Sequence, residues 1–229
     1  MGRNTFLRLV NEAKKEGRNI LYEYEVKNLL KSYAIDTTNP VFIRNKEQLE
    51  SLNNINFPCV MKVVSTQIAH KSDIGGVILN IKNKEELLEA FEKIKNNTEK
   101  KGIKIEGVIV EEEVEKGLEI IIGSYKDPIF GNVIMLGSGG IYVEAYKDVS
   151  FRIVPINKRD AYEMIDETII GSILKGFRGI KYDIFSVIDA LIKVSNLIED
   201  NQEIVELDLN PIYVYSQGIK VVDGRLKFV

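Results

Sequence analysis

The sequence predicts an α+β fold built from sheet-and-helix lobes. Helical and strand patterns interleave along the 229 residues without a regular β–α–β alternation, which disfavours a Rossmann sheet or a TIM barrel. Hydrophobic residues make up 45% of the chain, enough at this length to form a core. No repeat, proline-rich linker or low-complexity tract divides the chain, so we expect a single domain over 1–229 with approximate lobes 1–112 and 113–229.

In the first half, hydrophobic spacing and capping residues predict the elements. Apolar residues at helical spacing indicate two helices near the N-terminus, the first ending at Gly17 and the second over 26–33. Two later helices are predicted to begin after the capping residues Asn45 and Asn83. The β-branched, apolar segments predicted as strands are 41–43, 58–64, 77–81 and 107–113.

The second half is predicted to contain more strands than helices. Helices are expected over 158–169 and 182–199. The predicted strands are 118–125, 132–136, 204–209, 211–215 and 219–222, and residues 151–155 are expected to be extended. A turn over 216–218 would fold the last of these strands back on its predecessor.

Charge balance and cysteine content exclude several classes of protein. The chain has 31 Lys and Arg against 34 Asp and Glu, so it has no uniform basic field for nucleic acid. The single cysteine, Cys59, excludes an internal disulfide and cysteine-cluster metal sites. The charged N-terminus lacks a signal-peptide core, and the longest uncharged stretch, 128–143, is too short to span a membrane. We expect a cytoplasmic protein that binds neither nucleic acid nor membrane.

The first candidate site combines a lysine in an apolar strand with a glycine-containing loop. Lys62 lies in the predicted strand 58–64, where a charge costs desolvation unless an anion meets it. Gly75 and Gly76 follow, and glycines let backbone N–H groups approach phosphate oxygens. These residues indicate a phosphate site. The alternative is that Lys62 reaches solvent from an edge strand and that the glycines form only a turn.

His70 is the only histidine in the chain, so any imidazole chemistry depends on it. A neutral imidazole can act as a base or as a nucleophile toward phosphorus. A lone histidine is nevertheless more often structural. Without a second histidine or a thiolate cluster, a zinc site is disfavoured.

The second candidate site is an acidic strand near the C-terminus. Strand alternation places Glu206, Asp208 and Asn210 on one face. If the turn at Gly218 folds the chain back, Asp223 joins them and provides the oxygen ligands that Mg²⁺ prefers beside nucleotide phosphates. The alternative is a solvated strand face, although such faces usually mix charges of both signs.

Two further segments carry weaker signals. The glycine-rich segment 137–140 fits neither a P-loop nor the dinucleotide fingerprint, but is compatible with a loop that covers phosphates. The run Glu111–Glu113, followed by Val114, precedes another strand. A carboxylate there is placed to bind a ribose or an adenine amine, and a solvated acidic turn fits the same local sequence.

In order and spacing these segments resemble the beta subunits of ADP-forming acetyl-CoA synthetases, ATP-grasp proteins of the succinyl-CoA synthetase superfamily. The segments that carry the resemblance are 23–33, 61–62, 69–77, 117–119, 137–144, 147–152, 206–211 and 222–225. Ser138 departs from the pattern, since an apolar residue is common there. The resemblance implies two lobes that clamp ATP or ADP, and the reversible conversion of acyl-CoA, ADP and phosphate into acid, ATP and CoA.

The resemblance also implies roles for individual residues. His70 would be the family's second phosphohistidine, with Asp208 beside the phosphoryl group, while Asn210 and Asp223 would hold Mg²⁺. Residues 111–114 would form the hinge at the adenine. The positions expected to contact the nucleotide are Lys62, Gly75, Gly76, Glu111, Val114 and Glu119.

The resemblance further implies a partner. An alpha subunit would carry the CoA site and the first phosphohistidine, in an alpha2-beta2 assembly. Two alternatives stay open at this point. One is a stand-alone ATP-grasp carboxylate–amine ligase, which would not need His70, and the other is a non-catalytic nucleotide-sensing subunit.

Overall fold

A computed structural model describes residues 2–68, 70–139, 148–176 and 179–229. Its helices are α1 Gly2–Lys15, α2 Glu23–Ser32, α3 Lys46–Ser51, α4 Lys84–Glu99, α5 Lys158–Asp166, α6 Ile169–Leu174 and α7 Ile184–Asp200. Its strands are β1 Ile20–Leu21, β2 Val41–Ile43, β3 Cys59–Val64, β4 Val77–Ile81, β5 Gly107–Glu112, β6 Leu118–Asp127, β7 Gly131–Ser138, β8 Val149–Ile153, β9 Ile204–Val214, β10 Ile219–Val221 and β11 Arg225–Phe228. The mixture of helices with antiparallel sheets confirms the α+β prediction.

The chain divides into two compact units whose boundaries differ from the expected lobes 1–112 and 113–229. The smaller unit is 38–115, and the larger unit combines 1–37 with 116–229. The first 37 residues join the C-terminal part because β1 pairs with β11 and α1 packs against α7. These contacts are distant in sequence, and local periodicity does not report them.

The smaller unit is a four-stranded antiparallel sheet with helices on one face. The strand order is β2-β5-β3-β4, so β3 is an interior strand. Met61 and Val63 of β3 share a core with Leu87 and Ile94 of α4. The capping predictions are confirmed, because the Asn45 and Asn83 side chains accept hydrogen bonds from the first turns of α3 and α4.

The larger unit contains a seven-stranded antiparallel sheet. The order is β1-β11-β9-β6-β7-β8, and β10 pairs with β9 beside β11. Leu207 and Leu209 of β9 lie in the core together with residues of α1, α2 and α7. The core therefore occupies one face of β9, and the alternate residues Glu206, Asp208 and Asn210 are less buried.

Two buried ion pairs involve side chains of α2. Arg18 donates two hydrogen bonds to Glu25, each 3.0 Å long, and both side chains are buried. Lys27 is completely buried and pairs with Glu23 at 2.6 Å. Because removing one member of a buried pair is costly, these contacts strongly constrain α2.

The turn that precedes β10 is anchored from the start of α7. Asp183 accepts hydrogen bonds from the Gly218 N–H at 2.8 Å and from the Ser186 hydroxyl at 2.7 Å, and these bonds lower the pKa of the Asp183 carboxyl. The turn folds β10 back antiparallel to β9, as the sequence predicted. Among the described residues, every helix is too short or too polar to cross a membrane.

Candidate functional site

Lys62 lies on the interior strand β3, with its side chain only 6% exposed. Its register partners are Ile109 on β5 and Val77 on β4, so the strand is flanked on both sides and the edge-strand alternative is wrong. The Lys62 ammonium lies 2.7 Å from Glu111, whose side chain is 1% exposed. The Glu111 carboxylate therefore accounts for the burial of the Lys62 charge. The contact between Lys62 and a phosphate stays a prediction.

The three consecutive glutamates at the end of β5 each bind a different segment. Glu111 accepts a hydrogen bond from the Thr38 hydroxyl at 2.7 Å in addition to its contact with Lys62. Glu112 accepts from the backbone and side chain of Asn39, and Glu113 accepts from the backbone N–H of Asn80 at 2.6 Å. The alternative of a solvated acidic turn does not describe this segment. Val114 follows directly, and its expected contact with adenine remains a prediction.

His70 lies in an exposed loop between β3 and β4. A short 3₁₀ turn, Ser72–Ile74, follows it, and the Gly75 N–H donates back to Ser72. The Gly76 N–H donates to Lys71 at 2.8 Å, and the Gly76 carbonyl accepts from Val63 of β3. Both glycine N–H groups are engaged within the loop in this structure, so their contact with phosphate stays a prediction.

The loop packs tightly against its surroundings at both glycines. Gly75 has φ +66°, in the left-handed region that favours glycine. A Cβ on Gly76 would lie 2.6 Å from Val63 Cγ1 and 2.9 Å from the Lys71 carbonyl oxygen. The Asn97 side chain of α4 donates to the Gly75 carbonyl at 3.2 Å. The loop is therefore seated on β3 and α4, and it presents His70 to solvent.

The acidic face of β9 has the alternation that the sequence predicts. Leu207 and Leu209 are buried in the core, while Asp208 and Asn210 have intermediate exposure on the other face. Ile120 pairs with Ile212, yet Ile122 pairs with Leu209, so β9 carries one more residue than β6 across this stretch. Such a bulge re-aims side chains, and bulges are frequent beside active sites.

The register of the final strands brings Asp223 to Asn210. Val221 pairs with Ile212, and Arg225 pairs with Asp208. The Val222 N–H donates to the Pro211 carbonyl between these two pairs. Asp223 consequently lies alongside Asn210, and the sequence-based expectation that the chain folds back there agrees with this register.

The sheet face around Asp208 carries charges of both signs. Lys227 of β11 is the register partner of Glu206 and forms an ion pair with it. Arg225 is the register partner of Asp208. The single strand is acidic, as the sequence shows, but β11 supplies two cations that local analysis of β9 missed. Glu206 is therefore neutralised by a neighbour, which leaves Asp208, Asn210 and Asp223 as the candidate ligands.

The residue set around Asn210 fits a hard cation. Amide and carboxylate oxygens are the donors that Mg²⁺ accepts, and Mg²⁺ binds through one or two carboxylates together with substrate phosphates. Within the described ranges, no three His, Cys, Asp or Glu side chains are grouped to hold a metal by themselves.

The remaining predicted positions lie on β6 and at the end of β7. Glu119 is the register partner of Tyr213, and its carbonyl accepts from the Gly139 N–H. Ser138 donates through its hydroxyl to Asp148 at 2.7 Å, which gives this polar residue a structural role. Part of the predicted phosphate-covering loop, residue 140, lies outside the described residues.

A known protein family matches almost the whole chain. A family described as "ATP-grasp domain" matches residues 12–228. The match includes the strands that carry Lys62, Glu111, Asp208 and Asn210, and the segment between β10 and β11 that carries Asp223.

Several relatives have defined names. The chain is 42% identical to the beta subunit of acetate–CoA ligase (ADP-forming) II of Pyrococcus furiosus, over 96% of each chain. It is 43% identical to acetate–CoA ligase (ADP-forming) II of Archaeoglobus fulgidus over 90% of its own length, but it spans only 30% of that longer protein. The chain thus aligns with nearly the full length of a separate beta subunit, and with about a third of a longer relative.

A solved structure adds a close match in three dimensions. Acetyl-coenzyme A synthetase 1 of Candidatus Korarchaeum cryptofilum, in complex with coenzyme A and Mg-AMPPCP, superposes with a TM-score of 0.83 at 40% identity, covering 100% of both chains. In that structure a phosphohistidine segment points towards the nucleotide-binding site.

Proposed function

Since the chain belongs to the ATP-grasp family, we propose that it is the nucleotide-binding beta subunit of an ADP-forming acetyl- or acyl-CoA synthetase, an acid–thiol ligase. The reaction converts acyl-CoA, ADP and phosphate into acid, ATP and CoA. The observation that carries the proposal is the juxtaposition of Asn210 with Asp223, next to Asp208 on the same strand. The likeness to separate beta subunits over nearly the full chain supports it.

The proposed ligands are ATP or ADP with Mg²⁺. Asn210 and Asp223 would hold the metal, which neutralises phosphate charge when it is bound. Lys62 would meet a nucleotide phosphate together with the loop of Gly75 and Gly76. The segment from Glu111 to Val114, with Glu119, would contact the nucleoside. The Mg-AMPPCP complex of the Korarchaeum relative supports this choice of ligands.

His70 is the proposed phosphoryl carrier. In the direction of ATP synthesis, an imidazole nitrogen forms a bond to phosphorus as the donor's phosphorus–nitrogen bond breaks. The second transfer breaks the bond between His70 and phosphorus, and the terminal phosphate oxygen of ADP takes the phosphoryl group. Solvent exposure of the His70 loop supports access by a donor on another chain.

The proposed partner is an alpha subunit that carries the CoA site and the first phosphohistidine, with an alpha2-beta2 stoichiometry. Two features support a partner: relatives of this length are named beta subunits, and longer relatives contain the matching region as about a third of their sequence. The proposed location is the cytoplasm.

Reconstitution tests this function and separates it from the alternatives. The purified chain is titrated with MgADP and is then mixed with the alpha partner, acetyl-CoA, ADP and phosphate. We expect nucleotide binding by the chain alone and ATP formation only in the mixture. Thioester synthesis by the chain alone would contradict the two-subunit proposal. Binding without turnover in the complete mixture would favour a nucleotide sensor, and ligation of a carboxylate to an amine would favour a stand-alone ligase.

A further inference from the structure

The side chain of Arg225, the first residue of β11, is partly buried, and it makes no hydrogen bond or ion pair with the residues that the structure describes. Its Nε atom is fully buried and has no acceptor there. The other cation of the same strand, Lys227, is paired with Glu206. Arg3, Arg18 and Arg152 also have carboxylate partners. Arg225 therefore stands apart from comparable cations of this unit.

A guanidinium remains charged at any physiological pH, and its N–H groups only donate. Withdrawing one of these groups from water without an acceptor costs free energy. This cost is removed when an anion with accepting oxygens binds beside the side chain. The unsatisfied Nε atom thus indicates a place for an anion.

The position of Arg225 identifies the anion. Cross-strand register partners share a face of a sheet, so Arg225 lies on the face of Asp208 and Asn210. Asp223, the candidate magnesium ligand, is two residues earlier, a separation of about 7 Å along an extended chain. A magnesium ion and a guanidinium at that spacing repel each other, and the carboxylates of Asp208 and Asp223 offset only part of their combined positive charge. A phosphate that binds both cations satisfies this arrangement.

We propose that Arg225 binds the terminal phosphate of a nucleoside diphosphate or triphosphate, on the side opposite the metal held by Asn210 and Asp223. The planar fork of arginine donates paired hydrogen bonds to phosphate oxygens, which a lysine cannot reproduce. This inference rests on the proposed function and adds to it a phosphate-binding side chain supplied by β11.

Calorimetric titrations test this role with two nucleotides. The wild type, Arg225→Gln and Arg225→Lys are each titrated with ADP and with AMP in the presence of Mg²⁺. We expect Arg225→Gln to weaken ADP binding about 10- to 100-fold, the range for charge-assisted hydrogen bonds. AMP affinity should stay within about twofold, because AMP lacks the terminal phosphate, and Arg225→Lys should recover only part of the ADP affinity.

Lys227→Gln is the matched control, because it removes a cation from the same strand and face that is already paired. It should leave the affinity for ADP within about twofold, and circular dichroism should show that all variants are folded. Unchanged ADP affinity in Arg225→Gln overturns the inference, as does an equal loss for ADP and AMP, which marks a structural role. Failure of the wild type to bind MgADP instead overturns the proposed function itself.

Discussion

The buried pair of Lys62 and Glu111 allows stability and nucleotide binding to be separated by mutation. Lys62→Met removes the cation, keeps most of the side-chain volume, and leaves the Glu111 carboxylate buried beside Thr38. A second variant, Lys62→Met with Glu111→Leu, removes both charges. The single variant should be unstable and the double variant stable, whereas both should bind nucleotide poorly.

The magnitude follows from the burial of the pair. The two charged groups lie 2.7 Å apart, with side chains 6% and 1% exposed, so water screens the interaction poorly. Removing one member of such a pair typically costs about 3–5 kcal/mol, whereas replacing both with apolar residues is often neutral or stabilising. Since whole domains are stable by only about 5–15 kcal/mol, the single substitution is a large perturbation.

Urea denaturation and titration with MgADP provide the two measurements. A matched control is Lys27→Met, which breaks the equally buried pair with Glu23 in the larger unit. It should lose a similar free energy of unfolding and keep its nucleotide affinity, provided that the measurement is made where the variant is folded. The reasoning is refuted if the double variant of Lys62 and Glu111 binds MgADP as tightly as wild type, because Lys62 then has only a structural role.

Three further predictions concern the metal site, acid stability and the His70 loop. Asn210→Ala should weaken ADP binding at least about tenfold with Mg²⁺ but not without it, and an ADP affinity equal to that of the wild type in the presence of Mg²⁺ would exclude a metal-binding role. The hydrogen bond from Arg3 lowers the pKa of Glu203 from 4.5 to about 2, so its stabilisation is complete above pH 4.5 and is lost as the pH falls toward 2. Arg3→Gln should reduce the free energy of unfolding at neutral pH by at most about 1 kcal/mol, because the pair is partly exposed. Denaturation measured at a series of pH values should also show that the variant loses less stability than the wild type between pH 4.5 and 2. Gly76→Ala should lower the free energy of unfolding by about 1–3 kcal/mol, because its Cβ would collide with Val63, and an unchanged melting curve would contradict this packing.

Local sequence patterns correctly predicted the features that depend on residues close together in the sequence. The caps at Asn45 and Asn83 and the alternation along β9 follow from spacing alone, and all are observed. Predicted strands 204–209 and 211–215 are instead one continuous strand, and the predicted helix 158–169 is divided at residue 167. Both differences concern the residue at which a strand or helix begins or ends, and local sequence patterns do not determine this residue.

Contacts between distant segments were beyond local analysis. The four-residue strand β11 carries too short a pattern to predict, so the positions of Arg225 and Lys227 opposite Asp208 and Glu206 were missed. The pairing of Lys62 with Glu111 was missed for a similar reason, although both residues were singled out separately. An isolated lysine in an apolar strand and a nearby glutamate run are the signals that suggest such a pair.

Detection of phosphate on His70 tests the central claim most directly. The chain is incubated with MgATP, with and without the alpha partner, and is analysed by mass spectrometry under alkaline conditions that preserve phosphohistidine. Turnover of the reconstituted enzyme is measured in parallel for wild type and His70→Ala. We predict an acid-labile phosphate on His70 of the wild type, and a loss of turnover by orders of magnitude in His70→Ala with MgADP affinity retained. Normal turnover by His70→Ala, with no phosphate on this residue in the wild type, would contradict the account.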